Sequence, residues 1–89
     1  MREPIYRRQF EKDIKLIKKR GKDIEKLKVV IRRICKAEIL EPRFRDHSLK
    51  GNYAHHKECH IEPDWLLIYK LETEPVIFER TGTHSDLFD

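Results

Sequence analysis

Apolar runs in the second half of the chain are separated by connections of only three or four residues. The run WLLIYKL (65–71) follows EPD (62–64), and VIFERT (76–81) follows ETEP (72–75). A parallel pair of strands needs a crossover of about a dozen residues, whereas a tight turn can join an antiparallel pair. Together with YAHHKECHI (53–61), these runs therefore predict a three-stranded antiparallel meander.

The first half of the chain has the spacing of helices instead. An amphipathic helix is indicated from Phe10, and Gly21 falls where a helix C-cap glycine would lie. A second helix starts near Asp23, and Pro42 ends the helical region. The apolar positions recur three or four residues apart: Phe10, Ile14 and Ile17, then Ile24, Leu27, Ile31 and Ile34. Two helices with so tight a link form an αα-hairpin.

These elements predict a two-layer α+β fold. One face of the sheet must be covered, and the αα-hairpin is the element available to cover it. Ile5 and Tyr6 follow Pro4 in a short extended stretch that we predict to be an edge strand. The predicted order is then β-α-α-β-β-β. A chain of 89 residues is too short for two cores, so we expect a single domain over residues 1–89.

Targeting signals and disulfides are not expected. No run of 18 apolar residues occurs, and MREPIYRRQFEKD (1–13) lacks the apolar segment of a signal peptide. We therefore expect a cytoplasmic protein without membrane contact. Cys35 and Cys59 are too few for a disulfide scaffold and are expected to be reduced core thiols.

Basic residues are concentrated on the predicted helices. The net charge is +4, but residues 15–36 hold ten Lys and Arg against Asp23 and Glu25. Such a cluster favours a polyanion, because phosphates reward clustered cations by counterion release. Arg32 and Arg33 are therefore candidate RNA contacts. The same pattern is also typical of a solvated helix face.

All five histidines lie in the second half of the chain, at positions 47, 55, 56, 60 and 84. Alternation along a strand over 53–61 predicts two sets of side chains on opposite faces, with His56, Glu58 and His60 in one set and Lys57, Cys59 and Ile61 in the other. In the last strand, alternation predicts that Arg80 shares a side with Val76 and Phe78.

Cleavage of RNA without a metal needs three kinds of group. A base takes the 2′-hydroxyl proton, an acid protonates the leaving 5′-oxygen, and a cation stabilises the charge on the phosphorane. Histidine suits the first two roles near neutral pH, and the arginine fork matches two phosphate oxygens. Candidates for these roles are His47, His60, Asp64, Arg80 and His84. Trp65 and Phe88 are candidates for stacking on unpaired bases.

Each candidate also has an ordinary structural interpretation. Trp65 at the start of a strand is typical of a core residue, and Arg80 beside Glu79 is typical of a surface ion pair. Asp64 after Pro63 is typical of a turn. Residue types alone therefore leave the function open.

Four longer segments carry a more specific signal. They are QFEKDIKLIKKRGKDIEKLK (9–28), RFRDHSLKG (43–51), CHIEPDWLLIYKL (59–71) and ERTGTHSDLF (79–88). In order and spacing they resemble the YafQ-type toxins of the RelE/ParE superfamily over essentially the whole chain. The resemblance implies the RelE-like microbial RNase fold. It also implies a ribosome-dependent mRNA endonuclease from a type II toxin–antitoxin system.

The resemblance further implies partners and site residues. Expected partners are a cognate antitoxin, the ribosome and mRNA, with operator DNA bound only through the toxin–antitoxin complex; no metal or other cofactor is implied. The functional residues of the family fall on His47, His60, Asp64, Trp65, Arg80, His84 and Phe88. We expect His84 to act as the acid and Arg80 to stabilise the phosphate. The base would come from His60 with Asp64 or His47.

Lys57 departs from the family pattern. It stands where relatives commonly carry an arginine before the next histidine. Lysine keeps the charge but loses the bidentate fork. We therefore expect a weaker RNA contact at Lys57, or a larger role for Arg80.

Three alternatives remain open. His55, His56, Cys59 and His60 are ligand types that suit zinc, although their spacing matches no standard zinc motif. A non-catalytic interaction module on the same fold, such as the topoisomerase-inhibiting branch of the superfamily, would not need the histidine cluster. Simple binding of nucleic acid through the helices would depend on Arg32 and Arg33 rather than on His84.

Overall fold

A five-stranded sheet with two helices on one face forms the body of the protein. The computed structural model describes residues 1–88. The elements in chain order are β1 (Pro4–Tyr6), α1 (Arg8–Lys19), α2 (Ile24–Cys35), β2 (His47–Ser48), β3 (Lys57–Glu62), β4 (Trp65–Leu71), β5 (Val76–Gly82) and α3 (His84–Phe88). The strands lie in the sheet in the order β1-β5-β4-β3-β2. Short 3₁₀ turns lie at Pro42–Phe44 and Gly51–Tyr53. The predicted two-layer α+β fold is confirmed.

The αα-hairpin forms where the apolar spacing predicts it. Gly21 has φ +84°, which ends α1 in the left-handed conformation that favours glycine. Asp23 then caps α2, because its carboxylate accepts a hydrogen bond of 3.0 Å from the backbone N–H of Glu25. The buried faces of both helices pack against one side of the sheet. The largest side chains in this core are Phe10, Ile17, Leu27, Trp65, Leu67 and Phe78.

The sheet contains two strands that differ from the prediction. β1 pairs in parallel with β5, with Ile5 opposite Ile77, so the sheet is mixed rather than wholly antiparallel. β2 is a further short strand, paired antiparallel with β3. Two residues are too few for a readable alternation, and β2 was therefore not predicted.

β3 begins four residues later than predicted. The segment before it forms the 3₁₀ turn Gly51–Tyr53, and His55 has φ +72°. A non-glycine residue in the left-handed region interrupts an extended strand. The strand therefore starts at Lys57, and the predicted alternation holds only from there.

A β-bulge in β5 changes the side on which Arg80 lies. Tyr69 is opposite Phe78, but the next residue of β4, Ile68, is opposite Arg80, so Glu79 is the extra residue. Register consequently places Arg80 opposite Ile68, and its guanidinium reaches Asp13 of α1 at the part of β5 that does not pair with β1. The prediction that Arg80 shares a side with Val76 and Phe78 was wrong, because a single extra residue exchanges the faces.

The face of the sheet away from the helices, which we call the open face, has a small apolar cluster of its own. Leu66 and Ile68 of the central strand β4 pack there with Leu87 of α3. Leu49 and Tyr53 pack at the margin of this cluster. Helix α3 and the segment 49–53 therefore cover part of the open face and leave the rest accessible. Within residues 1–88, no helix has the length and apolar character needed to cross a membrane.

Candidate active site

Strand register brings four residues into one row across the open face. His47 of β2 is opposite Glu58 of β3, Glu58 is opposite Ile68 of β4, and Ile68 is opposite Arg80 of β5. Adjacent strands lie about 4.8 Å apart, so side chains in such a row are neighbours. The apolar side chain of Ile68 thus lies between Glu58 and Arg80 in this row.

Glu58 lies between two histidines in this region. Its Oε1 atom is 3.6 Å from Nε2 of His47 and 3.3 Å from Nε2 of His60, and the residue is only 7% exposed. The two imidazole rings are 6.5 Å apart between centroids. One buried carboxylate oxygen therefore serves both rings.

The opposite nitrogen of each ring is fixed by the backbone. Nδ1 of His47 lies 2.6 Å from the carbonyl of Arg45, and Nδ1 of His60 lies 3.2 Å from the carbonyl of Pro63. A carbonyl can only accept, so these contacts assign the Nδ1 proton as the donor in each ring. Nε2 of each ring then faces the Glu58 carboxylate. We call His47, Glu58 and His60 the histidine–glutamate cluster.

The turn after β3 connects this cluster to His84. Pro63 accepts from His60, while the carboxylate of the next residue, Asp64, accepts a hydrogen bond of 2.9 Å from the backbone N–H of His84. His84 is exposed, and its ring lies 4.9 Å from the Phe88 ring between centroids, at an interplanar angle of 41°. The turn therefore holds His60 and the start of α3 at the same end of the sheet.

Helix α3 is fixed by a capping box. Thr83 Oγ1 accepts from the backbone N–H of Asp86 at 3.1 Å, and Asp86 accepts from the backbone N–H of Thr83 at 2.9 Å. Arg20, at the end of α1, donates to both oxygens of Asp86 at 2.6 and 3.0 Å. Arg20 holds the pKa of the Asp86 carboxyl well below its usual range. The short helix is thus tied to the helical layer by an ion pair.

Arg80 is held by a carboxylate from α1. Its Nε and Nη2 atoms donate to Asp13 at 2.8 and 3.2 Å, and its side chain is 24% exposed. Hydrogen bonding to Asp13 raises the pKa of the Arg80 guanidinium above its usual value, and the Tyr53 hydroxyl contributes in the same direction. The guanidinium is therefore a permanent positive charge between the sheet edge and the open face.

Phe88 occupies a position suited to its predicted role. It is 39% exposed and contacts the edge of the Tyr53 ring at 5.8 Å between centroids. Tyr53 packs against the open-face apolar cluster. An aromatic face is thus available beside His84.

Trp65 requires a correction. It is 1% exposed in the core beneath the helices, and its indole N–H donates to Thr81 Oγ1 at 2.9 Å. No face of the indole is accessible to a base, so its predicted stacking role is inconsistent with the structure. Trp65 supports the sheet instead.

Lys57 also requires a correction. It is opposite Tyr69, whose side chain belongs to the core on the helix side of the sheet. Its Nζ atom lies 2.9 Å from Asp46 and 6.0 Å from the centre of the Tyr69 ring. Lys57 therefore points away from His60 and does not join the candidate site.

The two predicted arginines of α2 lie outside the candidate site as well. Arg33 donates to Glu38 at 3.1 Å and to Glu41 at 2.7 Å, which engages its guanidinium within the helical layer. Arg32 is exposed on the same layer. The sheet separates both from the histidine–glutamate cluster.

The structure does not assemble the alternative metal site. Cys59 is fully buried on the helix side, where burial raises the pKa of its thiol, whereas His60 lies on the open face. His56 instead approaches Glu79 at 3.5 Å. Over residues 1–88, no group of three or more His, Cys, Asp or Glu side chains is arranged to hold a metal ion.

Glu58 and Asp13 contact predicted site residues but were not themselves among the predictions. Alternation had placed Glu58 beside His60, so the sequence contained a signal for it. Asp13 is 67 residues from Arg80 along the chain, and no local pattern connects them. Only the packing of α1 against the edge of β5 reveals that contact.

Comparison with known proteins places these features in a family. The family described as the bacterial toxin YafQ of type II toxin–antitoxin systems matches residues 2–89. This chain belongs to the YafQ family of bacterial toxins. The mRNA interferase toxin YafQ of Escherichia coli K12 is 44% identical over 84 residues, which cover 93% of this chain and 91% of that protein. The family predicted from the four sequence segments is confirmed.

Solved structures of the family share the fold. The crystal structure of YafQ from Escherichia coli BL21(DE3) superposes with a TM-score of 0.94 at 41% identity, over 100% of both chains. A chain of the Escherichia coli DinJ–YafQ complex gives a TM-score of 0.91 at 43% identity, again over 100% of both chains. This chain therefore has the same overall fold as its solved relatives.

Proposed function

We propose that this protein is the toxin of a type II toxin–antitoxin system and an endoribonuclease that cleaves mRNA on the ribosome without a metal ion. The observation that carries the proposal is the histidine–glutamate cluster, which shares the open face with a fixed arginine and with the helix that bears His84. The name of the Escherichia coli relative, an mRNA interferase toxin, supports this interpretation.

The proposed reaction is a transesterification within one RNA strand. The 2′-hydroxyl loses its proton to a base and attacks the adjacent phosphorus. The bond from phosphorus to the 5′-oxygen then breaks as an acid protonates that oxygen. The products are a 2′,3′-cyclic phosphate and a 5′-hydroxyl. A protein that supplies the base, the acid and a cation needs no metal for this step.

The histidine–glutamate cluster is the proposed base. Each ring is oriented by a backbone carbonyl at Nδ1, and Glu58 can take up or return a proton at Nε2. Both rings contact the same carboxylate oxygen, so the base is assigned to the cluster and not to one ring.

His84 is the proposed acid, and Asp64 positions it. Asp64 accepts from the backbone N–H of His84, so its carboxylate acts on the helix that bears the imidazole. This contact favours a positioning role for Asp64 over the alternative role as base. Phe88, whose ring contacts that of His84, would contact a base of the RNA.

The partners are consistent with this function. A cognate antitoxin would neutralise the toxin, as supported by the DinJ–YafQ complex formed by an Escherichia coli family member. The ribosome would present the mRNA, and operator DNA would be contacted only through the toxin–antitoxin complex. The cytoplasm is then the compartment where the protein acts.

Replacing His84 by Ala tests the proposal. Loss of the general acid should slow cleavage by about 10²- to 10⁴-fold, the usual contribution of such a group. The measurement is cleavage of a reporter mRNA after induction in cells, mapped by primer extension, together with thermal unfolding of the purified variant. We expect an unchanged melting temperature, because the His84 side chain is exposed.

His55→Asn is the matched control. His55 is also exposed, and asparagine tolerates its φ of +72° better than most residues do. The control should cleave like the wild type. Cleavage by His84→Ala at the wild-type rate would exclude His84 as the acid. Arrest of growth with intact mRNA and damaged DNA would instead favour the topoisomerase-inhibiting alternative.

A further inference from the structure

The buried carboxylate of Asp13, on α1, binds the guanidinium of Arg80. Asp13 is 6% exposed and lies on the side of α1 that faces the sheet. Its Oδ1 accepts from Gln9 at 3.3 Å and from Arg80 Nη2 at 3.2 Å, and its Oδ2 accepts from Arg80 Nε at 2.8 Å. Burial of a carboxylate is costly unless hydrogen bonds and a countercharge compensate it. Asp13 receives both.

The same carboxylate also fixes the strand that carries Arg80. Oδ2 of Asp13 accepts from the backbone N–H of Thr81 at 3.1 Å. The Thr81 hydroxyl donates to the carbonyl of Leu66 at 2.7 Å and accepts from Trp65. The backbone just beyond the β-bulge is therefore fixed from the helix side and from the neighbouring strand.

The contact with Asp13 uses only part of the guanidinium. Arginine has five N–H donors, and Asp13 takes the one on Nε and one on Nη2. The two hydrogens of Nη1 and the second hydrogen of Nη2 are not used by Asp13. They lie on the edge of the guanidinium away from Asp13, and two parallel N–H groups suit a phosphate.

We propose that Asp13 is a positioning residue that fixes the guanidinium of Arg80 to receive a phosphate of the RNA backbone. The proposal rests on the proposed function, since it names the residue that orients its phosphate-binding group. A simple structural ion pair would stabilise the fold without setting how Arg80 meets its ligand. The two roles predict different outcomes when Arg80 itself is removed.

A double-mutant cycle with Asp13→Asn and Arg80→Ala separates the two roles. Asparagine keeps one acceptor oxygen but loses the charge and presents an N–H₂ group to the guanidinium. We expect Asp13→Asn to lower the single-turnover cleavage rate on programmed ribosomes by roughly 10- to 100-fold. Mutation of a residue that orients a metal ligand costs a similar factor in activity, and Asp13 orients Arg80 in the same sense. In the Arg80→Ala background, the same substitution should have no further effect on the rate.

Val30→Ala is the control for stability. Val30 is 2% exposed in α2, and its side chain lies in the core on the helix side of the sheet, away from the histidine–glutamate cluster. Its truncation lowers stability by opening a small cavity. At a temperature where all variants are folded, Val30→Ala should cleave like the wild type. An equal loss of cleavage in Val30→Ala, or a further loss caused by Asp13→Asn without Arg80, would overturn the proposal.

An NMR measurement that does not depend on cleavage distinguishes failure of this inference from failure of the proposed function. In nitrogen-15 NMR spectra, the Nε–Hε signal of Arg80 should exchange slowly with water in the wild type and broaden in Asp13→Asn. Binding of a 2′-deoxy oligonucleotide, which cannot react, should shift that signal only when Asp13 is present. A sharp, equally responsive signal in Asp13→Asn would contradict positioning, whether or not the protein cleaves mRNA.

Discussion

At the scale of single residues, Glu58 joins two rings that the sequence leaves unconnected. Glu58→Gln keeps the volume of the side chain but removes the charge and the capacity to take up a proton. We expect the cleavage rate to fall at least about tenfold, because proton exchange between the rings and Glu58 is lost. The measurement is single-turnover cleavage on programmed ribosomes. Thermal unfolding is measured in parallel, because removing one member of a buried charged group lowers stability, and the rates are compared at a temperature where both proteins are folded.

Glu79→Gln is the matched control for Glu58→Gln. Glu79 also approaches a histidine, His56 at 3.5 Å, and binds Arg7 at 3.3 Å, but it is the extra residue of the bulge and lies outside the row of His47 and Arg80. The Glu79 variant should retain cleavage. Equal losses in the two variants would mean that a general change of charge, and not the cluster, explains the effect.

Site residues were predictable wherever residue type and strand alternation agreed. His60 and Glu58 share a face because β3 is regular up to that point, so alternation was sufficient. The side of Arg80 depended on one inserted residue in β5, which leaves no mark in the apolar pattern. Trp65 was misplaced because the resemblance assigned its role by position along the chain, whereas burial depends on the face. For Lys57, alternation had already indicated the face opposite to His60.

At the scale of elements, α3 is a helix that the sequence alone could not stabilise. A helix of five residues is far below the length at which isolated helices form. Its periodicity is too short to read, although Thr83 and Asp86 have the spacing of a capping box. The ion pair with Arg20 and the steric fit at Gly82 complete the anchor, since an added Cβ at Gly82 would lie 2.8 Å from Asp86 Oδ2.

Asp86→Asn should release α3 without unfolding the protein. The variant loses the charge that Arg20 binds, so α3 should open more often and His84 should be held less well. We expect slower cleavage and faster hydrogen exchange of the α3 amides, with core exchange in β4 unchanged. Hydrogen-exchange mass spectrometry and the reporter-mRNA assay measure the two effects. Unchanged exchange in α3 would contradict the anchoring role.

The same anchor should respond to acid in the wild type. Arg20 lowers the pKa of Asp86, so the folded state binds this proton less readily than the unfolded chain does. The stabilisation is then fully present above the ordinary aspartate pKa of about 3.9 and is lost as the pH falls below it. The acid-induced loss of α3 protection should be absent in Asp86→Asn.

At the scale of the whole molecule, the candidate site and the basic helices lie on opposite sides of the sheet. The helical layer was predictable from periodicity, but its charge pattern did not reveal which cations are free. Arg33 is bound to Glu38 and Glu41, whereas Arg32 forms no ion pair within residues 1–88, the part of the chain that the structure describes. An mRNA bound to the open face would not reach Arg32, which lies on the other side of the sheet. Arg32 would then be available to a second RNA, for which ribosomal RNA is the candidate.

Arg32→Glu tests whether the helical layer contacts ribosomal RNA. Loss of one phosphate contact should weaken co-sedimentation with ribosomes and reduce the slope of log affinity against log salt by about 1. Cleavage at saturating ribosomes should be unchanged, because the substitution lies far from the open face. Equal slopes in the wild type and Arg32→Glu would assign the helix charges to solvation, and ribosome binding would then depend on the open face alone.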